Sequence, residues 1–76
     1  MKHKINKKVK VRSWESMEAE FGVDKLGHIR TPKAVFSRVI KHLCGREVVI
    51  KSIYYDTFYC LDNGVILTDD MIEDET

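Results

Sequence analysis

Histidine and cysteine are the residues of this chain that could support a metal site or a catalytic nucleophile. Zinc requires about four convergent ligands, usually supplied in close pairs. His42 and Cys44 form the only close pair, while Cys60, His28 and His3 are scattered along the chain. Residues two apart project to different sides of a helix, so His42 is not placed to activate Cys44. With no phosphate-binding glycine loop and no calcium loop, the sequence predicts a non-enzymatic protein without metal or cofactor.

Charge is strongly segregated along the chain, although the formal net charge is only +1. Residues 1–12 carry six cations and no anion, and residues 69–76 carry five anions and no cation. Opposite charges on paired strands are modestly favourable, so we expect the two ends to lie side by side and neutralise each other. Residues 25–46 form a second stretch without acids, and this basic segment is the better candidate for a positive face. Its cations are Lys25, Arg30, Lys33, Arg38, Lys41 and Arg46.

Aromatic residues offer a second kind of binding surface. On an alternating strand, one of Tyr54 and Tyr55 and one of Phe58 and Tyr59 must face outward, and small barrels use such rings to dock peptides or stack bases. The outward rings could equally pack beneath a helix, and both interpretations stay open. The candidate binding residues are Arg30, Lys33, Arg38, Lys41, Arg46, Tyr55 and Tyr59.

The first half of the chain contains the clearest helix signals. Residues 8–12 alternate between basic and valine side chains, which predicts a half-buried strand. Ser13 is a suitable helix N-cap, and Trp14, Met17 and Phe21 form one apolar stripe. Gly22 can end that short helix, and residues 23–31 are expected to form a loop or irregular hairpin. A proline after Thr31, followed by apolar pairs every three to four residues, predicts an amphipathic helix over residues 32–44.

The second half is rich in β-branched and aromatic residues. Residues 46–55 and 57–61 predict two strands. The sequence Asp62-Asn63-Gly64 predicts a type I′ hairpin turn before a strand at residues 65–67. Residues 68–70 resemble a capped single turn, after which Met71 and Ile72 are predicted to form a closing strand beside the first one.

Together these elements predict an α+β, mainly β, domain: a small SH3-like five-stranded barrel with a short N-terminal helix and an amphipathic helix packed on it. Closing such a sheet removes the exposed edges of a short β chain. We expect a flexible basic tail at residues 1–7, one domain at residues 8–73 and an acidic tail at residues 74–76. No apolar run approaches the ~20 residues of a membrane span. Cys44 and Cys60 are expected to be reduced and buried, and the protein is expected to be cytoplasmic.

Several stretches also carry a family resemblance. Residues 9–17 with Phe21 and Gly22, residues 41–45 and residues 68–73 comprise a strand, a capped helix, a Leu-Cys-Gly turn and a closing turn. Over roughly half the chain, they resemble small uncharacterised phage and prophage proteins with an SH3-like core. The resemblance implies a fold, but it carries no catalytic residue over to this chain.

Three functions are compatible with these features. The leading hypothesis is a phage accessory protein, in the cytoplasm of the bacterial host, that binds and modulates a bacterial host or defence protein. The alternative is a nucleic-acid-binding domain that uses residues 25–46, although twelve acids offset thirteen bases. A third is a homodimerising structural piece, because a marginal core gains stability by association. We expect a monomer or weak homodimer with no membrane partner.

Overall fold

The computed structural model describes residues 3–73 of the chain. Its elements are short and are joined by tight turns. They are β1 (Lys8–Lys10), α1 (Trp14–Phe21), β2 (Ile29–Arg30), β3 (Val35–Phe36), a first 3₁₀ helix (Arg38–Leu43), β4 (Glu47–Val49), β5 (Ser52–Tyr54), β6 (Phe58–Cys60), β7 (Ile66–Leu67) and a second 3₁₀ helix (Asp69–Met71).

The fold is a small α+β arrangement made mostly of strands, as the sequence predicts. The strands pair antiparallel in three small sheets, β1-β4, β2-β3 and β5-β6-β7. Over the described residues these sheets do not join into a closed barrel. No helix within residues 3–73 is long and apolar enough to cross a membrane.

The two ends of the described chain meet, as predicted. Val11 and Ile72 form an antiparallel bridge just beyond β1 and the second 3₁₀ helix. The backbone N–H of Glu73 donates to the carbonyl of Lys10 at 2.8 Å, and the side chains of the same two residues form an exposed ion pair at 3.9 Å. The predicted charge neutralisation is present at this pair. Residues 1–2 and the predicted acidic tail, residues 74–76, lie outside the described residues.

The segment just before β1 also contacts the body of the protein. The backbone N–H of Asn6 donates to the carbonyl of Ile50 at 2.7 Å, and the N–H of Ile50 donates to the carbonyl of Lys7 at 3.1 Å. These bonds continue the β1-β4 pairing by one step. Ile50 is fully buried at the corner where the chain leaves β4 for β5, so the single long strand predicted for residues 46–55 is split between two sheets.

The first helix matches its prediction. The Ser13 hydroxyl accepts a hydrogen bond from the backbone N–H of Ser16, and Gly22 ends the helix with a φ of 78°. Trp14 and Met17 are buried, and Phe21 packs at the border of the core. The apolar stripe is therefore core, as its spacing predicts.

The predicted helix over residues 32–44 is wrong. Thr31 and Ala34 instead close a tight turn between β2 and β3: the Thr31 hydroxyl and backbone N–H both donate to the Ala34 carbonyl, at 2.6 and 2.9 Å. The chain then forms β3 and the first 3₁₀ helix, in which Ile40 has non-helical dihedral angles. Proline is favoured at the second position of a β-turn as well as at the start of a helix, so Thr-Pro fits both structures.

The turn after β6 differs in detail from its prediction. Gly64 has a φ of 84°, but Asn63 has no positive φ, which excludes a type I′ turn. The N–H of Gly64 donates to the carbonyl of Leu61, and the N–H of Leu61 donates to the carbonyl of Val65. This is the pattern of a type I turn followed by a glycine in the left-handed conformation. The hairpin itself is where the sequence predicts it.

The core lies between the three sheets, α1 and the second 3₁₀ helix. Tyr59 is its largest fully buried side chain. The hydroxyl of Tyr59 donates to Oδ1 of Asp69, which satisfies the polar end of the ring. The buried apolar residues are Val9, Val11, Trp14, Met17, Ile29, Phe36, Leu43, Ile50, Tyr59, Leu61, Leu67, Met71 and Ile72.

Candidate functional site

An open groove of about 390 Å³ lies between the β2-β3 hairpin and the β5-β6-β7 sheet. Its exposed members are large and apolar: Tyr55 is 89% exposed, Tyr54 51%, Ile66 49% and Val35 45%. Scattered apolar residues are normal on a protein surface, but contiguous ones mark binding sites. We call this feature the apolar groove; its lining residues are Ala34, Val35, Tyr54, Tyr55, Phe58 and Ile66.

Strand register explains why these side chains face outward together. Successive side chains of a strand point to opposite faces of a sheet. Tyr54 is paired with Phe58, while the preceding pair, Ile53 and Tyr59, faces the core. Because Leu67 pairs with Tyr59 and is also buried, its neighbour Ile66 is turned outward.

The same alternation operates in the β2-β3 hairpin. Ile29 pairs with Phe36, and both are fully buried. Arg30 pairs with Val35, and both are exposed. The outward face of this hairpin therefore presents a cation beside an apolar residue of the groove.

Tyr55 is held in an unfavourable backbone conformation. Tyr55 and Asp56 have φ values of 54° and 52°, and the N–H of Thr57 donates to the carbonyl of Tyr54 at 3.1 Å. Asparagine and glycine are preferred at such a pair of positive φ angles, and a left-handed residue with a Cβ costs roughly 1–2 kcal/mol. Backbone strain of this kind clusters at ligand-binding sites. An exposed tyrosine gains no burial here, so its presence is not explained by stability.

Of the two predicted aromatic site residues, one is exposed and the other is buried. Tyr55 is on the surface and lines the apolar groove. The prediction for Tyr59 is wrong, because Tyr59 is fully buried, with its hydroxyl on Asp69 and its ring 5.6 Å from that of His3. Phe58 takes the outward position instead. No α-helix within residues 3–73 lines the groove beside these rings, because the segment predicted to cover them forms β3 and a 3₁₀ helix.

Two predicted basic residues lie beside the apolar groove. Lys33 is exposed in the turn that leads into Ala34. Arg30 is the cross-strand neighbour of Val35, and its Nε donates to Oδ2 of Asp24 at 3.0 Å. The other oxygen of Asp24 accepts the backbone N–H groups of Leu26 and His28. Those bonds, with Arg30, hold the pKa of Asp24 below its usual value although partial burial opposes them; the His28 amide is the largest cause.

The other predicted basic residues are placed elsewhere. Nζ of Lys41 lies 4.7 Å from the centre of the Trp14 ring, in a cation–π contact. Arg38 is in the first 3₁₀ helix, and its backbone N–H donates to Nδ1 of His28. Arg46 is next to β1, where its carbonyl accepts the N–H of Val11. None of these three lines the apolar groove, so the structure does not gather all seven predicted residues in one site.

A second, polar cleft of about 560 Å³ lies between α1 and the second 3₁₀ helix. Arg12 dominates it, and its guanidinium is already engaged: it contacts Glu20 at 2.8 Å, the Asp70 carbonyl at 3.0 Å and Oγ of Ser16 at 2.7 Å. Its contacts tie α1 to the end of the described chain. Within residues 3–73, no three histidine, cysteine or acidic side chains are grouped so that they could hold a metal ion.

The two cysteines are free, as predicted, and they are half-buried where the sequence predicts buried residues. Burial raises the pKa of the Cys44 thiol, Glu15 raises it further, and Lys41 opposes them. A raised pKa keeps a thiol protonated and weakly nucleophilic at neutral pH. Cys44 therefore lacks the electrostatic environment of a catalytic cysteine.

Five groove residues are not among the predicted site residues. Ala34 and Val35 lie in the segment predicted to be a helix, and Ile66 belongs to a short apolar run whose outward member the sequence does not identify. Tyr54 and Phe58 each belonged to a pair for which alternation left both choices open. Only the register of β5, β6 and β7 identifies the outward members.

Comparison with known proteins found no family model, no curated protein and no solved structure that matches this chain.

Proposed function

We propose that this chain is a non-enzymatic binding domain that holds a protein partner in the apolar groove. The observation that carries the proposal is Tyr55, a large ring that is 89% exposed in a left-handed turn. Residues that break a local rule without gaining stability are expected at functional sites. Tyrosine is also enriched among the residues that dominate binding energy at protein interfaces.

The size and composition of the groove support the same function. Binding pockets are typically about 300–1,000 Å³, mostly apolar and largely preformed, and the groove of about 390 Å³ is at the lower end of that range. Its lining contains no acid, histidine or cysteine. Such a lining can exclude water and hold apolar side chains, and its only ionisable groups are the phenols of Tyr54 and Tyr55.

The biological setting follows from the resemblance described above. The similarity to small phage and prophage proteins with an SH3-like core supports a phage accessory protein that acts on a bacterial host or defence protein. Binding in a fixed ratio would be enough for such a protein to modulate its target. The meeting of the first and last β segments at Val11 and Ile72 agrees with an SH3-like arrangement.

The nucleic-acid alternative has weaker support. Two of the six cations in the basic segment are engaged within the protein: Arg30 is paired with Asp24, and Lys41 lies over Trp14. Nucleic-acid binding by the remaining cations would weaken steeply with salt, with a slope of about 0.9 per phosphate contact on duplex DNA. That dependence separates it from docking of an apolar surface.

The proposal is tested by capture from a bacterial lysate with matched variants. The immobilised wild type is compared with Tyr55→Asn, Ile66→Asp and the control Val39→Asp, and bound proteins are quantified by mass spectrometry. Val39 is 73% exposed and outside the apolar groove. Asparagine tolerates the left-handed conformation of Tyr55, so Tyr55→Asn is expected to fold, which circular dichroism checks for every variant.

We expect one protein to be retained by the wild type and by Val39→Asp, and to be reduced at least tenfold with both groove variants. The purified captured protein should then bind the wild type directly in a fixed ratio. Equal retention by the groove variants would contradict the proposal. Binding to duplex or single-stranded nucleic acid that falls with salt, unaffected by Ile66→Asp, would favour the alternative.

A further inference from the structure

We infer that the occupant of the apolar groove is a short segment of the partner that carries apolar side chains next to a carboxylate, and that Lys33 binds this carboxylate. The inference rests on the proposed function and goes further by naming the chemistry of the segment. It is carried by the charges beside the groove and by the small size of the groove.

The charge argument begins with the outward face of the β2-β3 hairpin. Arg30 stands opposite Val35 on this face, and its side chain is 69% exposed. Its Nε is held by Asp24, which is itself fixed by two backbone N–H groups. Asp24 follows Val23, which is bridged to Ile29 on the side of β2 opposite to β3, so this ion pair holds the guanidinium away from Val35 and compensates its charge.

Lys33 supplies the uncompensated charge at the same place. It is exposed, it lies one residue before the groove residue Ala34, and among the described residues it has no ion-pair partner. Arg30 and Asp24 neutralise each other, so the hairpin turn keeps the positive charge of Lys33. An acidic group that binds beside the groove would therefore meet the free ammonium group of Lys33.

The size argument separates a short segment from a second copy of this chain. A stable interface between globular proteins buries roughly 800 Å² on each partner and uses about 20–30 residues a side. The apolar groove is lined by six residues. Among the described residues, the other exposed large apolar side chains do not line the groove; they are Ile5, Val23, Leu26 and Val39. The groove thus suits a few side chains of one segment.

The inference is tested by selection from a random library of twelve-residue peptides. The peptides are displayed on bacterial cells and sorted for binding to the labelled full-length chain. We expect the enriched peptides to combine two or three apolar residues with an aspartate or glutamate. An enriched peptide and its Asp→Asn or Glu→Gln analogue are then titrated by fluorescence anisotropy. We expect the acidic peptide to bind about tenfold more tightly, in line with a charge-assisted hydrogen bond.

Variants of the chain assign this preference to its source. Lys33→Glu should remove most of the tenfold difference. Lys25→Glu should leave it unchanged, because Lys25 is also an exposed turn lysine but is not adjacent to a groove residue. A preference that survives Lys33→Glu, or is lost equally in Lys25→Glu, would overturn the role of Lys33.

The remaining outcomes separate this inference from the proposed function. Peptides that lose binding in Ile66→Asp but show no acidic preference overturn only the inference. Peptides that bind Ile66→Asp as well as the wild type count against the groove itself, and so against both. If no peptide is enriched, although a whole protein is captured through the groove, only the inference of a short segment is overturned. A wild-type dimer in sedimentation equilibrium that Ile66→Asp dissociates would identify a second copy as the occupant.

Discussion

Val11 and Ile72 form the antiparallel bridge that joins the beginning and the end of the described chain. Both side chains are buried, with 0% and 4% exposure, and the N–H of Arg12 donates to the carbonyl of Met71 beside them at 2.9 Å. The second 3₁₀ helix is thereby held against β1. Because Asp69 of that helix accepts the Tyr59 hydroxyl, this bridge also supports the centre of the core.

The bridge predicts that Ile72→Ala destabilises the fold strongly. Truncating a buried isoleucine leaves a cavity and costs about 2–5 kcal/mol. The matched control is Glu73→Gln at the next residue, which removes only an exposed ion pair with Lys10 and should cost under about 1 kcal/mol. Urea unfolding followed by Trp14 fluorescence measures both. Equal losses in the two variants would mean that the closing segment contributes through surface charge and not through burial.

We predict that a favourable turn sequence after β5 raises the stability of the fold and lowers partner binding. Replacing Tyr55 and Asp56 by Asn and Gly gives the preferred sequence for two positive φ angles and should raise the free energy of unfolding by about 1 kcal/mol. The same change removes the most exposed ring of the apolar groove, so partner capture should fall. Measuring the urea midpoint and the capture on one sample tests both. A double variant that is less stable than the wild type would show that the tyrosine contributes to the fold.

We predict that protonation of Asp24, next to the β2-β3 hairpin, lowers the stability of the fold in acid. Its pKa is lowered in the folded state, chiefly by the His28 amide bond, so the ionised form stabilises the fold. That contribution is fully present above the unfolded-state pKa near 4 and is lost as the pH falls through the lower, folded-state pKa. Urea midpoints for wild type and Asp24→Asn should therefore differ at pH 6 and converge as the pH falls below about 4. A constant difference across this range would exclude the ionised carboxylate as the cause.

We predict that Cys44 is a slowly reacting thiol whose reactivity depends in part on Glu15. In a Cys60→Ser background, its reaction with Ellman's reagent should require a higher pH than a free cysteine, whose pKa is near 8.5, because burial raises the pKa of Cys44. Glu15→Gln should shift the pH–rate profile to lower pH by removing a negative charge that raises this pKa. Glu18→Gln is the control and should leave the profile unchanged. If the reaction rate of Cys44 depended on pH as that of a free cysteine does, burial would not be raising the pKa of Cys44.

How much the sequence predicts depends on whether the signals are local. The first helix was predictable because Ser13, the Trp14 and Met17 stripe and Gly22 each act within a few residues of one another. The middle segment was not, because Thr31 and Pro32 suit a β-turn as well as a helix. The structure uses them for the turn, which allows Phe36 to be fully buried beside Trp14, at a ring separation of 6.1 Å.

The sequence by itself determined the α+β class, the capped first helix, the hairpin before β7 and the meeting of Val11 with Ile72. The helix and the hairpin follow from local capping and turn chemistry, and the meeting of the two ends follows from their opposite charges and from the expected strand order. Only the tertiary structure decided that Tyr59 is buried while Phe58 and Ile66 line a groove. The alternation of a strand defines two faces, but which face is buried depends on the register with its neighbours and on the core against which it packs.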